Sequence, residues 1–236
     1  MPSQRRAARL AGLLYLVAMA TGLFAEFYVH FPSSLVVAGD AAATAQNLAV
    51  HGTLYRIGIA NNVVTFALDV VLIWALYVLL KPVNQGLALL AVLFRMVETA
   101  LALAAIAQAF SAMQFVTDAP AGPAFAPGPV QAVTAMHYGY ASTFTVVAIF
   151  LGLGSTVFNV LLFRSRYIPR LLSAWGVFAS LVLIASQFAV IVAPSVESTI
   201  IPAAFAPIVI DEIALGLWLL LVGAKIPQRE HISGKP

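Results

Sequence analysis

Six stretches of this chain, at approximately 10–31, 57–80, 86–116, 132–163, 171–192 and 208–222, are long apolar runs with few charges. That feature constrains the fold more than any other. A hydrocarbon core of about 30 Å takes roughly 20 residues of helix to cross, at 1.5 Å per residue. Lipid offers no partner to unpaired backbone groups, so the crossing elements must be helices or a closed barrel, and runs of this length are helical. Of the 236 residues, 62% are hydrophobic and 9% charged, against roughly a quarter charged in soluble domains. The chain therefore reads as all-α, a single polytopic transmembrane helical bundle of six spans over 1–236. The third and fourth runs exceed one crossing, which predicts tilt or an extramembrane turn.

Basic residues set the expected orientation. Arg5, Arg6 and Arg9 precede the first run, Lys81 follows the second, Arg164, Arg166 and Arg170 divide the fourth from the fifth, and Lys225, Arg229 and Lys235 follow the sixth; these are ten of the twelve Lys and Arg. The positive-inside rule makes their side the cytoplasm, with both termini in. A pI near 9.4 is then topological and does not imply nucleic acid. The lack of cysteine excludes disulfides, thiolate metal sites and Cys-based redox chemistry.

The opposite side carries longer connections, 32–56, 118–130 and 194–207. Pro120, Pro123, Pro127 and Pro129 in the second, and Pro194, Pro202 and Pro207 in the third, predict that these are not helical. In the first, Asp40 can cap a short amphipathic helix over 41–50, ended at Gly52 and lying on the membrane surface. A competing reading makes the first run a signal peptide, since Arg5 and Arg6 precede it and Ala18-Met19-Ala20 resembles a cleavage site. Apolar character continues past that site to Phe31, however, and removal would leave an odd number of spans.

Ionisable residues inside the runs carry the functional signal, because a lone charge at mid-bilayer costs at least about 2.5 to 3.5 kcal/mol. Counting helical rise from the basic end places Arg95 roughly 12 to 14 Å up, Asp69 and Glu98 roughly 16 to 18 Å, Glu212 about 20 Å and Glu26 about 24 Å. Arg95 and Glu98 are three residues apart, and Asp69 lies at similar height on the adjacent run, so an ion-pair triad is available. Five carboxylates (Glu26, Asp69, Glu98, Asp211 and Glu212) share this slab with one buried base, Arg95, while Arg56 sits at the outer edge. The excess has to be protonated, cation-bound or hydrated.

The candidate site is thus an outward-opening polar pocket lined by Asp69, Arg95, Glu98 and Glu212, with Asn62, Gln187 and Arg56 nearer its mouth and Glu26 as a further candidate. It would bind or translocate a small cation, a proton or a polar ligand. For Glu26 and Asp211, near outer ends, snorkelling to the interface competes with burial. Gly12, Gly152, Gly176 and Gly216 recur at helical spacing with other small residues and read as helix-packing positions. His30, His51 and His137 fall near the outer surface in interfacial positions.

No HExxH, GxSxG, P-loop or GxGxxG pattern is present, so the chemistry those motifs support has no local basis. Gly152-Leu153-Gly154-Ser155 lies inside a spanning run and reads as packing. No catalytic residue, metal site or cofactor is named, and beyond the lipid bilayer the partner expected is the small ligand. Two other readings stay open: a non-catalytic membrane scaffold or regulatory subunit, and an intramembrane enzyme acting on a lipid-like substrate.

Several stretches carry a family resemblance: residues 10–15 (LAGLLY), 55–62 (YRIGIANN), 94–99 (FRMVET), 163–176 (FRSRYIPRLLSAWG) and 212–219 (EIALGLWL). Together they resemble the membrane family known as domain of unknown function 4386. The resemblance spans nearly the whole chain and implies a bacterial multi-spanning protein of the cytoplasmic membrane. It supplies no activity, ligand or catalytic residue.

Overall fold

Each apolar run forms a helix, and most of the helices are longer than the runs that announce them. A computed structural model describes residues 4–24, 37, 40–118 and 127–226. The elements are α1 (Gln4–Phe24), α2 (Ala41–Leu80), α3 (Gln85–Asp118), α4 (Pro127–Ser165), α5 (Arg170–Val192) and α6 (Glu197–Leu217), the last continued by a π-helical turn over Trp218–Val222. Six helices are long and apolar enough to cross a membrane, and no strand occurs among the described residues. Large apolar side chains face outward along them, among them Val64, Leu93, Phe178, Leu181, Phe188 and Ile210. Lipid is the solvent such a surface fits.

The helices form a closed ring. Each packs against the next in sequence, α6 returns to α1, and α2 also touches α4. Short links make two of the joints: Asn84 accepts the Leu87 N–H at 2.9 Å and so caps α3 after the 81–84 turn, and 166–169 joins α4 to α5 with Arg166 in the left-handed region (φ 57°). At one end the Gln4 amide donates to the Leu79 carbonyl at 3.0 Å and lies 3.3 Å from the Tyr167 hydroxyl. The Lys225 N–H donates to the Tyr167 carbonyl at 2.9 Å. The start of α1, the end of α2, the α4–α5 link and the segment after α6 therefore share that end, where Arg5, Arg6, Arg9, Lys81, Arg164, Arg166, Arg170 and Lys225 cluster in sequence.

At the other end the three long helices project. α2, α3 and α4 run for 40, 34 and 39 residues, about 50 to 60 Å at 1.5 Å per residue, against a hydrocarbon core of about 30 Å. The expected short helix over 41–50 is present and Asp40 caps it, accepting the Ala43 N–H at 2.9 Å. It does not end at Gly52. His51 leaves helical geometry (φ −111°, ψ 25°) and the helix resumes to Leu80, because Ala45 and Leu48 are buried against Ala109, Met113 and Val133 of α3 and α4. Tertiary packing outweighs the glycine stop signal.

Proline misleads in two of the expected connections. α4 begins at Pro127, since Pro127 and Pro129 occupy a first turn whose N–H groups have no helical partner in any case. α6 begins at Glu197, with Pro202 and Pro207 inside it. A spanning helix tolerates proline where neighbours support its backbone, and the Trp175 indole of α5 donates to the Pro207 carbonyl at 3.1 Å. The first run likewise starts earlier than expected, so Arg5, Arg6 and Arg9 lie within α1. The 119–126 part of the second connection and the end of the first run at 25–31 lie outside the described residues.

Ring closure rests on a glycine contact. A Cβ on Gly12 of α1 would strike the backbone of Leu220, and would stand 2.7 Å from the Gly216 carbonyl oxygen and 2.9 Å from the Leu219 carbonyl carbon, whereas one on Gly22 would meet nothing within 4 Å. Gly12→Ala is expected to cost about 1 to 3 kcal/mol, the usual cost of overpacking against rigid atoms, read as a lower unfolding midpoint in detergent. Gly22→Ala should leave the midpoint unchanged, and equal effects of the two would break the assigned α1–α6 closure.

Candidate functional site

Between the apolar cluster at the basic end and the two smaller clusters further up, the ring is crossed by a polar layer. On α2, Asp69 lies between Tyr55 of one cluster and Leu72 of another; on α6, Asp211 lies between Ile208 and Leu215. Helical spacing turns Asp69, Arg95, Glu98 and Thr99 inward, and they are 6%, 6%, 3% and 1% exposed.

Arg95 is the hub. Its Nη2 donates to Asp69 Oδ1 at 2.6 Å, and its Nε stands 3.1 Å from Glu98 Oε2. The second contact is ionic without the alignment of a hydrogen bond, so Glu98 Oε2 lacks a hydrogen-bond partner among the described residues. Thr99 Oγ1 is 3.0 Å from both Asp69 Oδ2 and the Arg95 carbonyl, with one proton to give to either. Gly154 of α4 makes room for the arginine stem, since a Cβ there would stand 2.6 Å from Arg95 Cγ.

A second pair lies across the ring. Asn159 of α4 donates through Nδ2 to Asp211 Oδ2 of α6 at 3.2 Å, in space left by Gly176 of α5, where any Cβ would collide with the Asn159 amide. Glu212 is half-buried and interacts electrostatically with Arg95, Asp69 and Asp211. Tyr15 of α1 is buried near both pairs. Arg95 Nη1, Asn159 Oδ1 and Asp211 Oδ1 are buried polar atoms with no hydrogen-bond partner among the described residues.

The expected site residues separate into groups. Asp69, Arg95 and Glu98 form the triad that their spacing makes available, with Glu212 beside it. Asn62 lies two turns away along α2, lining a 20 Å³ cavity with Tyr55, Gly58, Ile59, Ile106, Ala109 and Tyr140. Gln187 is buried on α5 with its amide nitrogen 3.5 Å from Ser186 Oγ, and Arg56 is exposed. Glu26 lies outside the described residues.

Thr99, Asn159 and Tyr15 belong to the layer although sequence reasoning did not place them in the site, and Asp211 is buried where snorkelling was the equal expectation. The last miss follows from the helix start. With α6 beginning at Glu197, Asp211 is about 21 Å into the helix, too deep to reach an interface. Thr99 had a signal, since it stands one turn after Arg95 on the same face.

Residues 10–223 match the family described as Domain of unknown function (DUF4386). The chain belongs to this family. Every member of the polar layer, and all six helices of the ring apart from the first six residues of α1, fall within the DUF4386 match. No curated protein and no solved structure matches the chain.

What the DUF4386 layer can do follows from its donors. Among the described residues no three His, Asp or Glu side chains converge as a metal-ligand set; the carboxyls are spaced by Arg95, Thr99 and Asn159 and present oxygens singly. Gly152 faces α5, where its Cβ would meet Ile184, and Gly154 faces α3, so that Gly-rich segment serves packing on two sides.

Removing Arg95 should be costly. Arg95→Met strands Asp69 without counter-charge, removes the contact to Glu98, and is expected to lower stability by about 3 to 5 kcal/mol. Adding Asp69→Asn and Glu98→Gln to it should recover most of the loss, measured by unfolding in mixed micelles. A single variant as stable as the wild type would mean that the ion pairs are not buried together.

Proposed function

We propose that this membrane protein binds protons in the Arg95-centred layer, and that the site is the working part of the molecule. The supporting observation is a charge count: four carboxyl groups (Asp69, Glu98, Asp211 and Glu212) accompany one guanidinium, an excess of three. Three unpaired charges are not held inside a bundle of this kind, because each costs several kcal/mol in a low-dielectric interior. A proton satisfies a carboxyl without requiring three converging ligands. The Glu98 and Asp211 carboxyls, each with a buried oxygen that lacks a hydrogen-bond partner among the described residues, are the natural acceptors. Arg95 pairs with Asp69 and sets the register, and the Thr99 hydroxyl lies within hydrogen-bond distance of the same carboxyl.

The same reading places the end bearing the basic residues in the cytoplasm, in a bacterial cytoplasmic membrane, with the layer opening toward the far end, where Asn62 lines a small cavity above it. A small monovalent cation or a polar ligand bearing one positive charge would satisfy the same acceptors. The alternative is a scaffold whose polar core specifies helix register and binds nothing. It draws on the burial of Asp69, Arg95, Glu98 and Thr99 and on the close fit of Gly154 against Arg95.

Proton linkage separates the two. Carboxyl protons that the unfolded chain releases at about pH 4 and the folded chain keeps at neutral pH make stability fall as pH rises, by about 1.4 kcal/mol per pH unit for each proton so held. The wild type should show this negative slope between about pH 6 and pH 8 in a pH series of unfolding free energies. Glu98→Gln and Asp211→Asn should each flatten it. A flat wild-type profile, unaltered by sodium, potassium or small organic cations, would favour the scaffold.

A further inference from the structure

A cavity at the basic end has no part in the polar layer. It measures about 740 Å³ and lies between the first turns of α1 and the segment that leaves α6, lined by Arg5, Arg6, Arg9 and by residues 222–226, including Lys225. Four of its eight lining residues are cationic and none is acidic. Two of the cations, Arg5 and Arg6, also lie in the first turn of a 21-residue helix, whose N-terminal end favours anions.

The wall opposite the arginines is shaped by the π-helical turn. The Gly223 N–H donates to the Trp218 carbonyl at 2.9 Å, and Gly223 then takes φ 83°, a conformation that glycine adopts without strain. This bend turns the chain away from the helix axis, and the Lys225 N–H is tied to the Tyr167 carbonyl. Backbone geometry therefore fixes the course of residues 223–225 along the cleft. Its rim is apolar on the lipid side: Val222 lines it and is 57% exposed, and Leu221 beside it is 72% exposed.

We infer that this cleft is a binding site for the phosphate-bearing headgroup of an anionic phospholipid, with an acyl chain lying along Leu221 and Val222. Basic recesses between spanning helices at the cytoplasmic face are the form such sites take. The cavity has the size of a small-molecule site. An apolar rim continuous with the lipid-facing surface distinguishes a lipid from free phosphate, which would have no use for it. The site is independent of the proton-binding reading, since no residue is shared.

The test uses the full chain purified in neutral detergent, with bound lipid counted by native mass spectrometry and the melting midpoint followed in parallel. Phosphatidylglycerol or cardiolipin should bind and raise the midpoint, while phosphatidylcholine and inorganic phosphate should not. Replacing Arg5, Arg9 and Lys225 together by Gln should weaken that binding on the order of a hundredfold, at the usual contribution of one basic side chain each. Replacing Arg164 and Arg170, at the same end but outside the cleft, should leave it intact. Equal loss in the two variants would mean diffuse surface charge and overturn the site. If the triple variant does not fold, the wild type decides alone: inorganic phosphate or phosphatidylcholine matching the anionic lipids would overturn the headgroup assignment.

Discussion

Arg95 is the one buried cation among the described residues, and the interior of the bundle is arranged around the need to keep it paired. In a medium that cannot solvate ions, a guanidinium must be met by carboxylates at contact distance, or the helix bearing it would not stay in the membrane. Asp69 does this at 2.6 Å from a neighbouring helix, with the Glu98 carboxyl at 3.1 Å on the same helix. Once they are in place, the heights of α2 and α3 relative to each other are fixed, because a shift of one turn would separate the charges by about 5 Å. Gly154, closing on the arginine stem, carries the same constraint to α4.

Around this layer the molecule divides into two unequal parts. Toward the basic end, α1, α2, α4 and α6 meet through alanine, leucine and glycine contacts with little polar content, and the Gln4 and Lys225 hydrogen bonds tie chain ends to the α4–α5 link. Toward the other end, α2, α3 and α4 outrun the remaining helices and build a smaller cluster from Ala45, Leu48, Met113 and Val133. The polar layer thus lies above an apolar base and below a projecting three-helix part, with Glu98 on α3 and Asp211 on α6.

How much of this was legible depended on which physical signal each residue carries. The six spans, the two tight hairpins and the Asp69–Arg95–Glu98 triad could be read because apolar length, basic links and i,i+3 spacing are local properties. The start of α6 could not, because Pro202 and Pro207 signal a break in isolation and are tolerated only where a neighbour such as Trp175 supports the turn. That error propagated to Asp211, whose depth was misjudged. Gln187 and Asn62 continue the polar stripes of their own helices, yet spacing along one helix does not say which neighbour that face meets, and the ring places Gln187 beside Ser186 and Asn62 at a small cavity with Tyr55 and Tyr140. Asn159 lies outside the expected site, although its bond to Asp211 makes it part of the layer.

The account depends on carboxyl groups outnumbering their counter-charge inside the ring and holding hydrogen to make up the difference. Infrared spectroscopy of the purified protein at neutral pH reads this directly, through the carbonyl stretch of protonated carboxyl side chains and its shift in heavy water. The account predicts such a band, buried enough to exchange slowly, and its reduction when Glu98 and Asp211 are converted to amides. A spectrum showing only ionised carboxylates at neutral pH would contradict it.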